Sequence, residues 1–297
     1  MMPAMSKKIP IIILTKDENR YLKLSVRSIL NRTKANYHIF IVDNNSKSSD
    51  QKKALEELAH KENITVLYNS RNEWILGFNL AIGCIQKDEQ YDQDFYVLSD
   101  GDITVPLPKN NMCWLEYLLS KMKKNAHFGK IGLALDLGYI KERAEFEDTF
   151  KRESRYLCGP CSSGLIIAPV DTTLAIYRKD LFILPAFKML PGHASLVKPY
   201  YYVARTTGHW QARHLGWRNY SIQDGSQLED KIKCFTRYAA YIDPIVLNRL
   251  PKSIRLYFII FKPIFKIKWA VIVLYFWTKY ILEHFPRNFN ELQSSVR

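Results

Sequence analysis

Several things are scarce in this 297-residue chain, and each scarcity removes a class of protein. Glycine (12) and proline (13) are too few for a collagen-like or low-complexity chain. The five cysteines, at positions 84, 113, 158, 161 and 234, are odd in number and scattered. They form no secreted disulfide framework, and a reducing compartment is expected. The apolar run Ile9–Leu14 is shorter than an export signal and lacks a small-residue cleavage site, so export is not expected. Acidic residues are short as well: 29 Asp and Glu face 43 Lys and Arg, a formal charge of +14. That excess favours anionic partners: nucleic acid, an acidic membrane surface or phosphorylated small molecules.

Also missing is a glycine-rich turn after the first strand, so neither a dinucleotide fingerprint nor a phosphate loop is present. Cys158-Gly159-Pro160-Cys161 spells a dithiol motif, but such a motif should open a helix. Here Ser162-Ser163-Gly164 and the apolar Leu165-Ile166-Ile167 follow, which reads as a turn entering a strand. Neither a redox nor a zinc role is expected, since no second cysteine pair completes four ligands.

What is present is alternation. Ile9–Leu14 reads as a strand buried on both faces, and Glu18–Asn31 carries apolar residues at near-helical spacing. A second strand is expected over Tyr37–Val42, a second helix through His60, a third strand over Ile64–Tyr68, a third helix over Trp74–Gln86 and a fourth strand over Phe95–Ser99. This order predicts an α/β, doubly wound, mostly parallel sheet with its ligand site at the carboxyl ends of the strands. The four ends read Thr15-Lys16-Asp17-Glu18, Asp43-Asn44-Asn45-Ser46, Asn69 to Asn72 and Ser99-Asp100-Gly101-Asp102. All are polar, and together they predict a cleft. Asp100 and Asp102, one glycine apart after a buried strand, suit Mg²⁺ or Mn²⁺ carrying substrate phosphates. The other reading of that pair is a surface turn with two solvated carboxylates.

With these segments the chain resembles a GT-A-fold glycosyltransferase of the bacterial family 2 kind over roughly residues 9 to 220. The resemblance rests on Ile11–Leu30 with Glu18, Leu22 and Ser28, on Ile41–Ser46, on Asn72–Asn79 with Gly77, and on Asp100-Gly101-Asp102. It implies a metal-dependent, inverting hexosyltransferase that moves a sugar from a nucleotide-sugar, a UDP-sugar above others, to a glycan or lipid-linked acceptor in cell-surface polysaccharide synthesis. Thr15, Asp17, Glu18 and Asn72 would then lie beside the nucleotide, Asp43 would bind the base, Asp100 the ribose or a metal-bound water, and Asp102 the divalent ion. His214, ahead of Leu215-Gly216-Trp217, resembles the family's further metal ligand, or else is a polar edge residue. Arg205, Arg213 and Arg218 are candidates for the diphosphate. The acidic pair that family members carry near the acceptor is missing between Lys179 and Arg218. Asp171 is therefore the candidate base or acceptor-orienting residue, with turn capping as its other reading, and His193 is the reserve.

Past residue 220 the composition changes. The expected division is a nucleotide-sugar-binding catalytic domain over 1–220 and a helical, basic-aromatic extension over 221–297. From Pro251 to Arg287 seven cations face the single acid Glu283, and ten aromatics lie between Leu256 and Phe285. The longest uncharged run there, Trp269–Thr278, is half of the roughly 20 residues a membrane span needs. An anionic membrane surface contacted through residues 251–287 is expected, with the protein cytoplasmic and peripheral on the inner membrane face. Pro263 is expected to break or kink the helix. The apolar blocks are unlike a nucleic-acid stacking platform, so no nucleic-acid partner is expected. Two alternatives stay open: a nucleotide-sugar-binding protein without turnover, prompted by the missing acidic pair, and a basic RNA-binding α/β protein, prompted by the charge alone.

Overall fold

The computed structural model describes residues 7–92, 94–125, 128–170, 173–179, 203–222 and 251–295. Its first part is the predicted alternation: β1 (Ile9–Thr15), α1 (Asn19–Arg32), β2 (Tyr37–Asp43), α2 (Ser49–Ala59), β3 (Ile64–Tyr68), α3 (Asn79–Ile85) and β4 (Phe95–Asp100). These four strands are parallel, in the spatial order β3-β2-β1-β4. Successive side chains on a strand point to opposite faces. Ile11 and Ile13 therefore pack with Leu22, Val26 and Ile29 of α1, while Ile12 packs with Ala81, Ile82 and Ile85 of α3. Burial on both faces is why β1 and β2 read as continuous apolar runs rather than as alternating ones.

The later elements are β5 (Ile103–Thr104), α4 (Trp114–Lys124), β6 (Lys130–Gly132), β7 (Ala134–Leu135), α5 (Glu147–Tyr156), β8 (Cys161–Ser162), β9 (Leu165–Ile167), β10 (Leu174–Arg178), β11 (Val203–Arg205), β12 (Gln211–His214) and α6 (Lys252–Ser295). Among the described residues the main sheet continues from β4 through β10, β6, β11, β9 and β8, and β10 runs antiparallel to both β4 and β6. A small second sheet, β5-β12-β7, closes one end. The dithiol segment enters the β8–β9 hairpin, whose turn residues Ser163 and Gly164 both have positive φ (52° and 73°), as two-residue hairpin loops require. Cys158 and Cys161 are exposed free thiols.

Two expectations change. The third helix does not run unbroken from Trp74: residues Trp74–Phe78 form a 3₁₀ turn before α3. Gly77 lies so close to the sheet that a Cβ there would stand 2.8 Å from Leu14 and 2.9 Å from Asn44 and Asn69, so the chain enters the helix in a tighter coil. In α6 the helix continues through Pro263. Proline removes one intrahelical hydrogen bond, but Pro263 and Ile259, whose carbonyl loses its partner, are both solvent-exposed, and water can satisfy that carbonyl.

Candidate functional site

The carboxyl ends of the parallel strands are level: Thr15 pairs with Asp43, Asp43 with Tyr68, and Leu14 with Asp100. With β1 central and the strand order running outward to β3 on one side and to β4 on the other, the crevice above Thr15 and Asp100 is the switch point where open α/β sheets bind ligands. The polar loops predicted to share one cleft are thus brought together.

On the β2 side the loops brace one another. Asp43 is buried, and both its oxygens accept from Ser46, one from the hydroxyl and one from the backbone N–H at 3.0 Å. Asp17 takes a left-handed backbone (φ 52°) and accepts from the N–H groups of Lys47 and Ser48 at 2.8 and 2.9 Å. Asp17 therefore fastens the β2 loop to the β1 loop. Asn44 donates to Asn72 at 2.8 Å and to the Trp74 carbonyl at 3.2 Å, and accepts from Glu73 and Asn69. This asparagine cluster, not recognised as a unit in the sequence, holds Trp74 at a positive φ of 53°, which is uncommon for a bulky side chain. Its signal was visible: Asn44, Asn69 and Asn72 all stand in strand-end loops.

On the β4 side the pairing of β12 with β5 places His214 opposite Ile103, next to Asp102. His214 Nδ1 lies 3.2 Å from Asp102 Oδ2. The pair is within ion-pair range but outside hydrogen-bond geometry, and both His214 Nδ1 and Asp102 Oδ1 are buried without a hydrogen-bond partner. Trp217 stacks on the imidazole with ring centroids 5.0 Å apart and planes 5° off parallel. Gly216 makes the approach possible, since a Cβ there would stand 2.1 Å from Asp102 Oδ2. Two adjacent ligands of an octahedral ion with arms of about 2.1 Å are separated by roughly 3.0 Å, so the pair fits such a cation. Among the described residues no group of three or more His, Cys, Asp or Glu side chains forms a complete cage. Two protein ligands, with water and substrate oxygens for the rest, is the usual pattern for Mg²⁺ and its relatives.

Beneath this loop lies Glu18. Its carboxyl packs against Gly101, where a Cβ would stand 2.3 Å from Glu18 Oε1. Burial, and then the charges of Asp102 and Asp100, push the Glu18 carboxyl well above its ordinary value. Glu18 starts α1 without capping it, because its side chain is turned toward the acidic loop. Thr15, also buried, accepts from Gln51 at 3.1 Å. The sequence put Glu18 beside the nucleotide; its burial behind Gly101 was not legible.

The three candidate arginines have protein partners. Arg213, one residue before His214 on β12, points to the opposite face and pairs with Asp136 at 3.1 Å. Arg205 is buried, pairs with Glu153 at 2.7 Å and lies over the Tyr156 ring. Arg218 lies over Tyr139. Asp171 and His193 lie outside the described residues.

The family model described as Glycosyl transferase family 2 matches residues 11–182. No curated protein matches the sequence. Among solved structures, the chain is similar to the mannosyltransferase PcManGT from Pyrobaculum calidifontis, in complex with GDP-Man and Mn²⁺ (13% identity, 95% of this chain and 76% of that one, TM-score 0.52). It is also matched, with lower TM-scores, to residues 1–349 of TarS from S. aureus (14%, 85% and 70%, 0.48) and to GalNAc-T7 with UDP, GalNAc and Mn²⁺ (12%, 78% and 50%, 0.47).

Proposed function

The chain belongs to glycosyl transferase family 2 and has a GT-A fold, and from that premise we propose that it moves a hexosyl group, with inversion, from a nucleoside-diphosphate sugar to a glycan or lipid-linked acceptor in cell-surface polysaccharide synthesis. The observation that carries the reading is the Asp102–His214 pair at the strand-end crevice: His214 Nδ1 lies 3.2 Å from Asp102 Oδ2, and that nitrogen and the other carboxylate oxygen, Oδ1, are buried without a hydrogen-bond partner. A UDP-sugar is the favoured donor.

In this reading Asp43, steadied by Ser46, accepts from the nucleobase, and Asp100 at the end of β4 faces the ribose. Asp102 and His214 would hold a divalent cation, which when bound neutralises the charge that develops on the departing diphosphate. The mixed carboxylate and imidazole set favours Mn²⁺ over Mg²⁺. The acceptor hydroxyl attacks the anomeric carbon, the bond to the diphosphate oxygen breaks, and the hydroxyl proton passes to a base, for which Asp171 stands first and His193 in reserve. A catalytic unit over 1–220 with a separate extension over 221–297, at the inner membrane face, completes the proposal. The protein is to be incubated with Mn²⁺ and a panel of nucleotide-sugars. Turnover or hydrolysis of one of them, lost in Asp102→Asn and reduced at least about tenfold in His214→Ala, supports it. Nucleotide-sugar binding without turnover, or no metal dependence, refutes it.

A further inference from the structure

Helix α6 is 44 residues long, about 66 Å at 1.5 Å per residue. No helix among the described residues is long and apolar enough to cross a membrane. Yet α6 leaves a row of large aliphatic side chains in water: Leu256, Ile260, Ile264, Ile267, Val271 and Leu274 are each between 56% and 65% exposed. At 100° per residue these six fall within an arc of about 80°. The exposed Tyr257, Tyr275 and Leu282 lie at its border or within it. Phe258, on the far side of the wheel, is buried.

The cations frame this stripe. Lys252, Arg255, Lys262 and Lys266 occupy an arc of their own; its nearer edge, Lys252, lies about 40° from the stripe, and its farther edge, Lys262, lies nearly opposite. Lys268 stands about 40° beyond the other edge. An apolar stripe with cations on both flanks is the pattern of a helix lying in a membrane interface, its apolar face about 5–10 Å deep and its ammonium groups level with the lipid phosphates.

A second copy of the chain is the competing occupant, because Ile260, Ile264, Ile267, Val271 and Leu274 recur at alternating spacings of four and three. The flanking positions argue against it. In a coiled coil they carry opposite charges that pair across the seam, whereas here they include Leu256, Phe261, Pro263, Lys268 and Tyr275. Seven cations against one acid over 251–287 also make two copies repel and an anionic surface attract.

We infer that α6 docks the protein on an anionic lipid surface, lying in its plane with the Leu256–Ile260–Ile264–Ile267–Val271–Leu274 face inserted and the two exposed flanking cations, Lys252 and Lys268, on lipid phosphates. The inference deepens the membrane-face reading above, and its binding assay needs no transfer activity, so failure of one is distinguishable from failure of the other.

Full-length protein is sedimented with vesicles of phosphatidylcholine alone and with added phosphatidylglycerol. Binding to the anionic vesicles is expected to exceed binding to the neutral ones and to weaken with salt. Lys252→Gln with Lys268→Gln should lower the anionic-vesicle partition by roughly thirtyfold, about fivefold per cation, with little change on neutral vesicles. Ile260→Ser, Ile264→Ser and Ile267→Ser should each cost on the order of tenfold on both vesicle types. Circular dichroism and Mn²⁺-dependent nucleotide binding confirm that each variant is folded. Unchanged partition in the serine variants overturns the inference. So does a lipid-free dimer, seen by analytical ultracentrifugation, that the serine variants convert to monomer while the wild type ignores vesicles.

Discussion

Replacing Gly216 by alanine adds one methyl group and tests the proposed metal site more sharply than removing a ligand would. The new Cβ would stand 2.1 Å from Asp102 Oδ2, roughly 1.4 Å inside an ordinary contact of about 3.5 Å. The backbone cannot simply retreat, because the neighbouring Leu215 N–H donates to the Asp102 carbonyl at 2.8 Å and β12 is paired with β5. The carboxylate must therefore rotate away from His214. Displacements of about 1 Å at such sites cost on the order of a hundredfold, or about 2.7 kcal/mol. Isothermal titration with Mn²⁺ and a nucleoside diphosphate, alongside sugar-transfer rates, reads the loss. Gly83→Ala is the control: the site has nothing within 4 Å of a new Cβ and lies inside α3, so it should keep wild-type affinity and stability or gain up to about 1 kcal/mol. A folded Gly216→Ala variant with wild-type metal-dependent affinity would refute the reasoning that Asp102 and His214 must meet.

Two further outcomes follow from buried charges. The Glu18 carboxyl is raised in the fold, by burial and then by Asp102 and Asp100, so the folded state holds a proton that the unfolded chain releases near pH 4.5. The sign is that stability is fully present below that pH and lost as pH climbs toward the raised value. In EDTA, the melting temperature of the wild type should fall relative to that of Glu18→Gln as pH rises from 4.5, and parallel curves would contradict the assignment. For Arg205→Met, leaving Glu153 buried with only the exposed Arg152 beside it at 3.7 Å should cost on the order of 3 kcal/mol in urea unfolding, partly recovered by Glu153→Leu in the same chain. The folded variant should bind nucleotide as the wild type does, and a loss of affinity without a loss of stability would put Arg205 at the diphosphate instead.

The parallel half of the fold was legible because each of its strands is a short apolar run ended by polar residues, and runs of this kind report burial directly. The strand-end places of Asp43, Asp100 and Asp102 were legible for the same reason: they stand in the polar segments that end those runs. What the runs themselves did not show depended on contacts distant in sequence, and His214 was reached only through the family resemblance. Only the β5–β12 pairing sets His214 beside Asp102, and the same strand's alternation turns Arg213 outward to Asp136. Helical spacing could not foresee the 3₁₀ entry at Trp74, because the close approach of Gly77 to Leu14 is a tertiary fact. Nor could a local rule about proline foresee that a helix whose carbonyls face water at Ile259 continues past Pro263.

The two atoms that face each other at the proposed metal site come from positions far apart in the chain, 102 and 214, joined by one short antiparallel register. A ribosome that has released the parallel strands has not yet made that meeting possible. Manganese affinity would accordingly report the arrival of the closing strand, and a chain clipped before residue 211 would keep much of its sheet while being blind to the ion.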